Sequence, residues 1–463
     1  MTSVAVIGGG LAGITAALRC RDAGADVTLY EARPKLGGLT HSFRRGDLDV
    51  DNGQHVFLRC CTAYQDLLGR LGVADQVTLQ DRLDIPVRAP GLTRTARLRR
   101  NGLPAPMHLG GSLLRYPLLD TAQRLRFVRA ALAMRRLDRT DPAVDARSFG
   151  DWLAEQKQDR ATIDAMWDLV GIATLNAAAG QASLALAAMV FQVGLLTDPG
   201  AADIGWAGVP LQRLHGDAAV RALEIIGATV RVGAKVDVVE PRERRWLVGA
   251  KGGEQLVDAV VMAVPPAATE RLAPAGSVAL EPGYAAKLGT SPIVNVHVVV
   301  DRHVLDTPFV AGVGTPIQWV FDRTVQSGLH DGDRRGGQYL AVSVSAADDF
   351  IDLPVAALRE RLLPDLVALL PAIARAEIVD FFVTREREAT FRPAPGSGAL
   401  RPPATTRAPG LFLAGAWTDT GWPATMEGAV RSGDAAAAAL LAHVGPDLAH
   451  SKRAHGVRQG VAA

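Results

Sequence analysis

Six residues near the N-terminus have the types and spacing of a phosphate-binding loop. The sequence GGGLAG at residues 8–13 follows the apolar run Val4–Ile7 and opens an alanine- and leucine-rich stretch. A GxGxxG motif between a strand and a helix presents backbone N–H groups and the positive end of the helix dipole to a pyrophosphate. Gly8 would form the tight turn, Gly10 would let the phosphates approach, and Gly13 would allow close helix packing. The motif predicts a dinucleotide site.

An acidic residue stands where the ribose of such a dinucleotide would lie. Gly24 ends the predicted helix, Asp26–Tyr30 forms a second strand, and Glu31 follows 18 residues after Gly13. A carboxylate there accepts hydrogen bonds from ribose hydroxyls and disfavours a 2′-phosphate. The pattern therefore argues against NADP.

Length and composition indicate the number of domains and the class of protein in which this site lies. The chain has 463 residues, 48% hydrophobic and 21% charged, which predicts two closely associated globular domains. The net charge of +2 gives no indication of nucleic-acid binding.

The three cysteines, Cys20 and the adjacent Cys60 and Cys61, form neither a disulfide framework nor a metal-ligand spacing, and a structural role suits the pair better than a redox role. With no secretory signal and no run of the ~18–20 apolar residues that a span requires, we expect a cytoplasmic location, peripheral on the inner face of the membrane.

Positive charge is concentrated in residues 88–139. This block holds twelve arginines and no lysine against two aspartates, a local balance of +10, and large apolar residues are interleaved with the arginines. Basic and apolar residues on one helix are typical of a helix that lies on an anionic membrane. An ordinary surface helix with a solvated arginine face is the alternative.

Beyond Glu31 the chain resembles the FAD-dependent amine oxidase and carotenoid desaturase superfamily. The resemblance lies in the second glycine pair, Gly37-Gly38, in the sequence DNGQH at 51–55, and in GWPATMEGA at 421–429, which follows a buried strand ending in Gly415. It implies FAD as the cofactor. It also implies that the helix after residue 425 points its N-terminus at the flavin pyrimidine, where free N–H groups would stabilise negative charge on the reduced ring.

The loop mechanics and the resemblance together give one set of expected FAD contacts. They are Gly8, Gly10, Leu11, Ala12, Gly13, Glu31, Ala32, Arg33, Gly37, Gly38, Gly53, Gln54, His55, Val236, Gly415, Asp419, Trp422, Ala424, Thr425 and Met426. Relatives usually carry an aspartate directly after the strand glycine, where this chain has Ala416, so either FAD is held more weakly or Asp419 or a water substitutes. Only one dinucleotide fingerprint is visible, so an external electron donor is expected.

The expected fold is α/β, with a Rossmann-like FAD-binding domain of the amine oxidase and desaturase type and an inserted α+β substrate domain. The FAD-binding domain would be discontinuous, at 1–85, 205–275 and 385–445. Residues 86–204, mainly helical, and 276–384, rich in strands, would form the substrate domain with a helical lid. A hairpin is predicted from Val230–Val239 and Trp246–Val248, followed by one strand over Leu256–Val264, and a flexible tail at 446–463.

Several segments are more similar still to the squalene-associated FAD-dependent proteins, the hydroxysqualene dehydroxylases. These are residues 51–64, 167–176, 308–323 and 417–433, whereas 284–301 resembles the phytoene and carotene desaturases. The resemblance implies that reduced FAD removes the hydroxyl of hydroxysqualene to give squalene and water. Such a site needs a long apolar channel, a proton donor and little water.

His55 is the candidate proton donor, because the segment at 51–55 should pass the flavin. The alternative is that His55 only orients the backbone or the flavin ring. Asp51, Asn176 and Gln318 are weaker candidates, and His297 stands in an apolar strand that favours a core histidine with satisfied hydrogen bonds.

Three rival functions stay open. A desaturase would move the hydride the other way, from an isoprenoid to oxidised FAD, in the same kind of tunnel. An amine oxidase would need an aromatic pair beside the flavin, and Trp422 has no evident partner. A prenyl-lipid carrier without catalysis would not need the flavin motifs found at both ends of the chain.

Overall fold

Strands and helices alternate at the N-terminus, as the glycine-rich turn between an apolar run and an alanine-rich stretch predicts. The computed structural model describes residues 2–329 and 336–459. Its strands are β1 Ser3–Ile7, β2 Asp26–Tyr30, β3 Ser42–Arg45, β4 Leu48–Asp51, β5 Val56–Leu58, β6 Val77–Leu79, β7 Asp84–Arg88, β8 Ala96–Arg99, β9 Ile204–Ala207, β10 Thr229–Arg231, β11 Val236–Arg242, β12 Arg245–Ala250, β13 Gly253–Val257, β14 Ala259–Met262, β15 Thr290–Val300, β16 Phe309–Gly312, β17 Trp319–Asp322, β18 Gln338–Ser345, β19 Ile378–Phe391 and β20 Leu411–Leu413. Its α-helices are α1 Leu11–Asp22, α2 Thr62–Arg70, α3 Gly110–Leu114, α4 Thr121–Met134, α5 Pro142–Asp145, α6 Phe149–Glu155, α7 Arg160–Thr162, α8 Asp168–Leu175, α9 Leu184–Phe191, α10 Ala218–Ile225, α11 Pro266–Leu272, α12 Tyr284–Leu288, α13 Thr324–Ser327, α14 Val355–Leu369 and α15 Met426–Gln459.

A parallel five-stranded sheet organises the dinucleotide end. Its strand order is β10-β2-β1-β14-β20, so β1 lies in the centre with β2 and β14 as neighbours. Helices α1 and α15 pack together on the sheet and share its core. Because parallel sheets are covered on both faces, their strands are apolar throughout, as β1 and β14 are. All five strands come from the three chain segments proposed for the FAD-binding domain, and their carboxyl ends share one edge.

A seven-stranded mixed sheet forms the second half of the molecule, in the order β19-β15-β18-β17-β16-β7-β8. One face of β15 presents Val294, Val296 and Val298 to α14. The opposite face of the sheet packs against α3, α8 and the segments beside them. Residues paired across strands share a face, and one such row runs Asn295, Ser343, Trp319. The strand-rich character predicted for residues 276–384 is confirmed, since β15, β16, β17 and β18 all lie in this range.

The first strands of this sheet correct one prediction. Residues 86–204 are mainly helical as expected, but they begin with the end of β7 and all of β8. In β8, Ala96 and Leu98 are buried and alternate with exposed arginines, a period of two that belongs to a half-buried strand. Two proposed domain boundaries, 85/86 and 384/385, consequently fall inside β7 and β19.

The predicted hairpin after residue 229 is also wrong in detail. The run Val230–Val239 is two strands, because Gly233 turns with φ +65° between β10 and β11. The run Leu256–Val264 divides into β13 and β14 at Asp258, whose carboxylate accepts hydrogen bonds from the backbone N–H and the hydroxyl of Ser3. This break sends β14 into the parallel sheet while β11, β12 and β13 form a sheet of their own.

Helix α15 is longer than predicted. It begins at Met426 and its backbone runs through 446–459, most of the segment for which a flexible tail is expected. Residues 460–463 lie outside the described residues. Among the helices of the described chain, none is both long enough and apolar enough to cross a bilayer.

Candidate functional site

The loop at residues 8–13 connects β1 to α1, and close contacts between backbone atoms determine its conformation. Gly8 has φ +106°, and a Cβ there would lie 2.3 Å from the carbonyl oxygen of Ala263. A Cβ on Gly13 would lie 1.9 Å from the carbonyl oxygen of Gly8. Gly10 is the N-cap of α1 and makes no side-chain cap, so the first N–H groups of the helix point out of the loop. Leu11 and Ala12 form the first turn of the helix.

The open side of this loop fits a pyrophosphate. A Cβ on Gly10 would meet only the Cα of Gly38, at 3.8 Å, and a Cβ on Gly38 would lie 2.8 Å from the Cα of Gly10. The Gly37 N–H donates to the carbonyl oxygen of Gly9 at 2.8 Å, which docks the second glycine pair on the first. The two glycine segments thus form one cradle that a side chain would fill, and the residues present fit FAD.

Glu31 is buried at the end of β2 and organises the neighbouring turns. Its Oε2 accepts from the Gly9 N–H and its Oε1 from the Arg33 N–H, both at 2.7 Å. Each carboxylate oxygen has a further lone pair for a ribose hydroxyl. Ala32 and Arg33 are exposed in the same turn, and the buried Val236 begins β11 two residues after Ala234, whose N–H donates to the Glu31 carbonyl at 2.9 Å.

Asp51 anchors the second predicted cofactor turn. Its Oδ1 accepts from the Ser42 hydroxyl at 2.6 Å and from the Leu211 N–H at 3.0 Å. Its Oδ2 pairs with Arg323 Nη2 at 2.6 Å, and both side chains are less than 10% exposed. A buried carboxylate that accepts from this many donors holds a fixed position, and these contacts give Asp51 a structural role in the turn.

Asn52 is held from the second sheet. Its side-chain amide donates to the Leu39 carbonyl oxygen at 2.8 Å and to Glu386 at 3.0 Å. Its own carbonyl oxygen accepts from Asn295 at 3.3 Å and from Thr384 at 2.9 Å. The strands β15 and β19 therefore fix this turn, and they leave Gly53, Gln54 and His55 as its outer part.

His55 is half-buried beside Gly53, and burial lowers its pKa to about 4, against a smaller opposing effect of Asp51. The imidazole is therefore neutral at pH 7. A neutral ring can donate one hydrogen bond, but it does not carry the second proton of an imidazolium acid. A neutral imidazole is compatible with the alternative considered for His55, that it orients the backbone or the flavin ring.

The third part of the site follows β20. Gly415 has φ +140°, and its N–H donates to Ser432 in α15 at 2.8 Å. Thr425 caps α15, because its hydroxyl accepts the Gly428 N–H at 3.1 Å. The remaining predicted residues of this segment are half-buried or exposed around the start of the helix, namely Asp419, Trp422, Ala424 and Met426. Gly415 and the start of α15 therefore lie at the same sheet edge as the glycine cradle.

Two residues that sequence reasoning missed hold this segment. Arg401 is buried and donates to the carbonyl oxygens of Ala416, Trp417 and Thr418, and burial lowers its pKa to about 10. Glu427, also buried, accepts from the first backbone N–H groups of α2, so it ties the start of α15 to the start of α2. Neither residue stands at a recognisable spacing from its partners, so no sequence motif indicates these contacts.

The weaker catalytic candidates have structural partners. His297 is fully buried, with Nε2 bonded to Thr384 at 2.9 Å and Nδ1 to Tyr339 at 2.7 Å, so the prediction of a satisfied core histidine is confirmed. Asn176 bonds to the Ser291 carbonyl oxygen and to the Ala346 N–H. Both ends of the Gln318 amide bond to the Ser345 backbone. These contacts hold the end of α8 and the start of β17 against the neighbouring strands. They occupy the hydrogen-bonding groups of the Asn176 and Gln318 side chains.

Comparisons with known proteins agree with this geometry. The sequence pattern of the flavin containing amine oxidoreductase family matches residues 11–441. A hydroxysqualene dehydroxylase from Rhodopseudomonas palustris is 30% identical over 95% of this chain and 98% of its own, and one from Sinorhizobium fredii is 28% identical over 94% and 97%. A zeta-carotene desaturase from Synechocystis is 25% identical over 95% and 97%.

Solved structures share the fold over nearly the whole chain. Wild-type putrescine oxidase bound to putrescine superposes with a TM-score of 0.68 at 20% identity, covering 95% of this chain and 99% of that one. An oxidoreductase from Methanosarcina mazei gives a TM-score of 0.70 at 16% identity, covering 93% and 99%. The glycine cradle, the ribose carboxylate and the family match over most of the chain lead to one conclusion: this chain is an FAD-dependent oxidoreductase and belongs to the flavin containing amine oxidoreductase family.

Proposed function

We propose that this enzyme removes the hydroxyl of hydroxysqualene and replaces it with hydrogen, giving squalene and water. The observation that carries the proposal is similarity over 94–96% of the chain to three hydroxysqualene dehydroxylases, at 27–30% identity. The zeta-carotene and phytoene desaturases among the relatives match at 24–26%. When bound in its fully reduced form, FADH2, the cofactor would supply both the hydride and the proton that this reaction consumes, so that the hydroxyl leaves as water. An external donor must reduce the cofactor, since one dinucleotide fingerprint is present.

The sheet face beside the Asn52 turn suits an isoprenoid chain. On this face Ile293, Ser343 and Trp319 are only half-buried, although most of their neighbours in β15 and β18 are buried. Apolar residues of α8, such as Leu169 and Ile172, face the same side. An apolar groove of this kind excludes water, which protects a delocalised allylic cation from capture.

We assign His55 the role of hydrogen-bond donor to the departing oxygen. It is neutral at pH 7, half-buried, and placed beside Gly53 at the outer end of a rigid turn. A donor already oriented toward developing negative charge stabilises the transition state without reorganising, an effect worth about 10²–10³ in kcat. This assignment needs no charged histidine inside an apolar groove.

A desaturase is the second candidate, because zeta-carotene desaturases also match over almost the whole chain. The two reactions differ in the direction of hydride transfer, so the oxidation state of FAD separates them. Amine oxidation is disfavoured by Trp422, since the guanidinium of Arg431 lies 4.9 Å from the centre of its ring. That ring face is engaged and does not form half of an aromatic pair.

The test is anaerobic incubation of the FAD-loaded enzyme with hydroxysqualene or zeta-carotene, with FAD either reduced by dithionite or oxidised. We expect squalene only from hydroxysqualene and only with reduced FAD. A more unsaturated carotene formed with oxidised FAD would replace this proposal with the desaturase.

A matched pair of variants tests His55. His55→Gln keeps an N–H donor and should retain much of the turnover, whereas His55→Leu should lose about 10²-fold or more in kcat with FAD still bound. Equal rates in the two variants would remove His55 from the reaction.

A further inference from the structure

An exposed apolar surface lies on α3, α4 and the loop before them. Six large hydrophobic side chains in residues 103–132 are exposed, and we call them the apolar surface: Leu103, Met107, Leu114, Leu125, Val128 and Leu132. Leu114 is 73% exposed and Leu125 is 62% exposed. Scattered single leucines need no explanation, but six exposed apolar side chains in one short stretch of chain make this stretch a candidate interaction site.

Helix α4 presents part of this surface as a stripe. Asp120 and Gln123 form a capping box that starts the helix. Ala130, Ala131 and Met134 are buried in a core shared with residues of α6 and α9, and they fix which side of the helix faces inward. The outward side carries Leu125, Val128 and Leu132, spaced three and four residues apart, which places them in one row along the helix.

Unpaired arginines flank the stripe. Of the twelve arginines in the 88–139 block, four form ion pairs with Asp84, Asp159 or Asp203, and the other eight form none with the described residues. Arg129, Arg135 and Arg136 belong to the second group and are exposed on the outward side of α4 and just beyond it. Arg124 and Arg126 point elsewhere, to the Tyr116 carbonyl oxygen and to Asp159. The free positive charge therefore lies beside the exposed leucines.

A cavity opens next to this surface, between α8 and the turn 312–319. Its volume is about 390 Å³, and it is lined by apolar residues of α8 and by Trp319, with Arg160, Asp164 and Asp168 at one side. Hydrogen bonds connect the segments that carry the apolar surface to the chain segment that lines the cavity. The Tyr116 hydroxyl donates to the Ala165 carbonyl oxygen at 3.2 Å, and Gln123 and Arg126 bind Asp159, the neighbour of Arg160.

The same cavity borders the sheet face that leads to the Asn52 turn. Trp319 lines the cavity and pairs with Ser343, which pairs with Asn295, the residue that donates to the Asn52 carbonyl oxygen. Neighbouring strands lie about 4.8 Å apart, so this row spans about 10 Å from the cavity to the turn. The half-buried Ser343 lies between them, and the half-buried Ile293 lies on the same face, two residues before Asn295 in β15.

From this arrangement we infer that the protein docks on an anionic lipid bilayer through the apolar surface and the three arginines. Its lipid-soluble substrate passes from the bilayer through the α8 cavity to the flavin end. The charge is complementary to anionic headgroups, and the leucines reach the acyl boundary. The docking surface stands on geometry alone, whereas the choice of an isoprenoid cargo rests on the proposed function.

Docking is tested with the FAD-loaded enzyme and vesicles of phosphatidylglycerol or of phosphatidylcholine alone. We expect co-sedimentation with phosphatidylglycerol at low salt, weakened as salt screens the charges. The triple variant Arg129→Glu, Arg135→Glu and Arg136→Glu should stay in the supernatant with its FAD. A matched control, Arg221→Glu, Arg244→Glu and Arg271→Glu, changes three exposed arginines elsewhere and should still bind. Absence of wild-type binding, or equal release of both triples, would overturn the docking surface.

Access through the cavity is tested with Ala173, which lines it and is exposed. Ala173→Trp should slow the transfer of radiolabelled hydroxysqualene from vesicles to the protein at least tenfold, while vesicle binding and FAD content stay unchanged. Ala173→Ser should behave as the wild type. Unchanged transfer in Ala173→Trp would overturn this route. If wild type takes up hydroxysqualene through this route but makes no squalene, the proposed function fails and the docking inference stands.

Discussion

Two turns are predicted to contact FAD, and they are held in different ways. In the loop at residues 8–13, shape comes from backbone atoms, because Gly8 and Gly13 leave no room for a side chain. In the turn at residues 51–55, shape comes from side chains of the seven-stranded sheet, Asn295 and Thr384, and from Arg323, which directly follows its strand β17. A backbone-determined loop leaves a local mark in the sequence. A turn fixed by distant side chains does not.

The strongest test of this contrast is Gly13→Ala. Its Cβ would lie 1.9 Å from the Gly8 carbonyl oxygen, so α1 could not pack against the loop. We expect loss of more than ~4 kcal/mol, hence little folded protein even without cofactor, measured by circular dichroism of the apoprotein.

Gly10→Val is the matched comparison. Gly10 has φ −76° and ψ 178°, which any residue adopts, and only the Gly38 Cα is near its Cβ position. The apoprotein should fold normally and fail to retain FAD, because the side chain would fill the pyrophosphate cradle. A yellow Gly10→Val protein would contradict the assignment of the loop.

The next largest effect is expected at the side-chain-held turn. Arg323→Leu would leave the buried Asp51 carboxyl group without its ion-pair partner, which costs about 3–5 kcal/mol. Urea denaturation of the FAD-free protein measures this loss. The double variant Asp51→Asn with Arg323→Leu removes the stranded charge and should recover part of the stability. No recovery would mean that the pair does not hold the turn through its charge.

Glu31→Gln tests the side-chain hydrogen bonds that the Glu31 carboxylate makes at the loop of residues 8–13. The amide cannot accept from the N–H groups of both Gly9 and Arg33 and also serve a ribose as a carboxylate does. A hydrogen bond to a charged group contributes about 1.5–3 kcal/mol, so FAD should bind roughly 10–100-fold more weakly in a fluorescence titration. Unchanged affinity would show that the carboxylate serves only the fold.

The same contrast explains what could be predicted from the sequence. Strands β1 and β2 were predicted to within one residue, with a helix between them, because a glycine loop, an apolar run and an acid stand within thirty residues. The split between β10 and β11 was missed, because Gly233 alone marks it. The Asp51–Arg323 pair joins residues 272 positions apart, and nothing local indicates it. The role of Arg401 depends in the same way on carbonyl groups brought near it by folding.

The smallest expected effect lies at Ala416, where relatives usually carry an aspartate. The Ala416 carbonyl oxygen accepts from Arg401 at 3.3 Å, and Arg401 forms no ion pair within the described part of the chain. A carboxylate introduced by Ala416→Asp would stand close to this buried cation and pair with it. We therefore expect FAD affinity to stay the same or rise by a few fold, with a slightly higher melting temperature.

Ala416→Asn has the same size without the charge and serves as the control. Flavin loss in the aspartate variant but not in the asparagine variant would mean that the new charge faces the cofactor phosphates instead of Arg401. The backbone after β20 would then differ from the arrangement on which the resemblance rests.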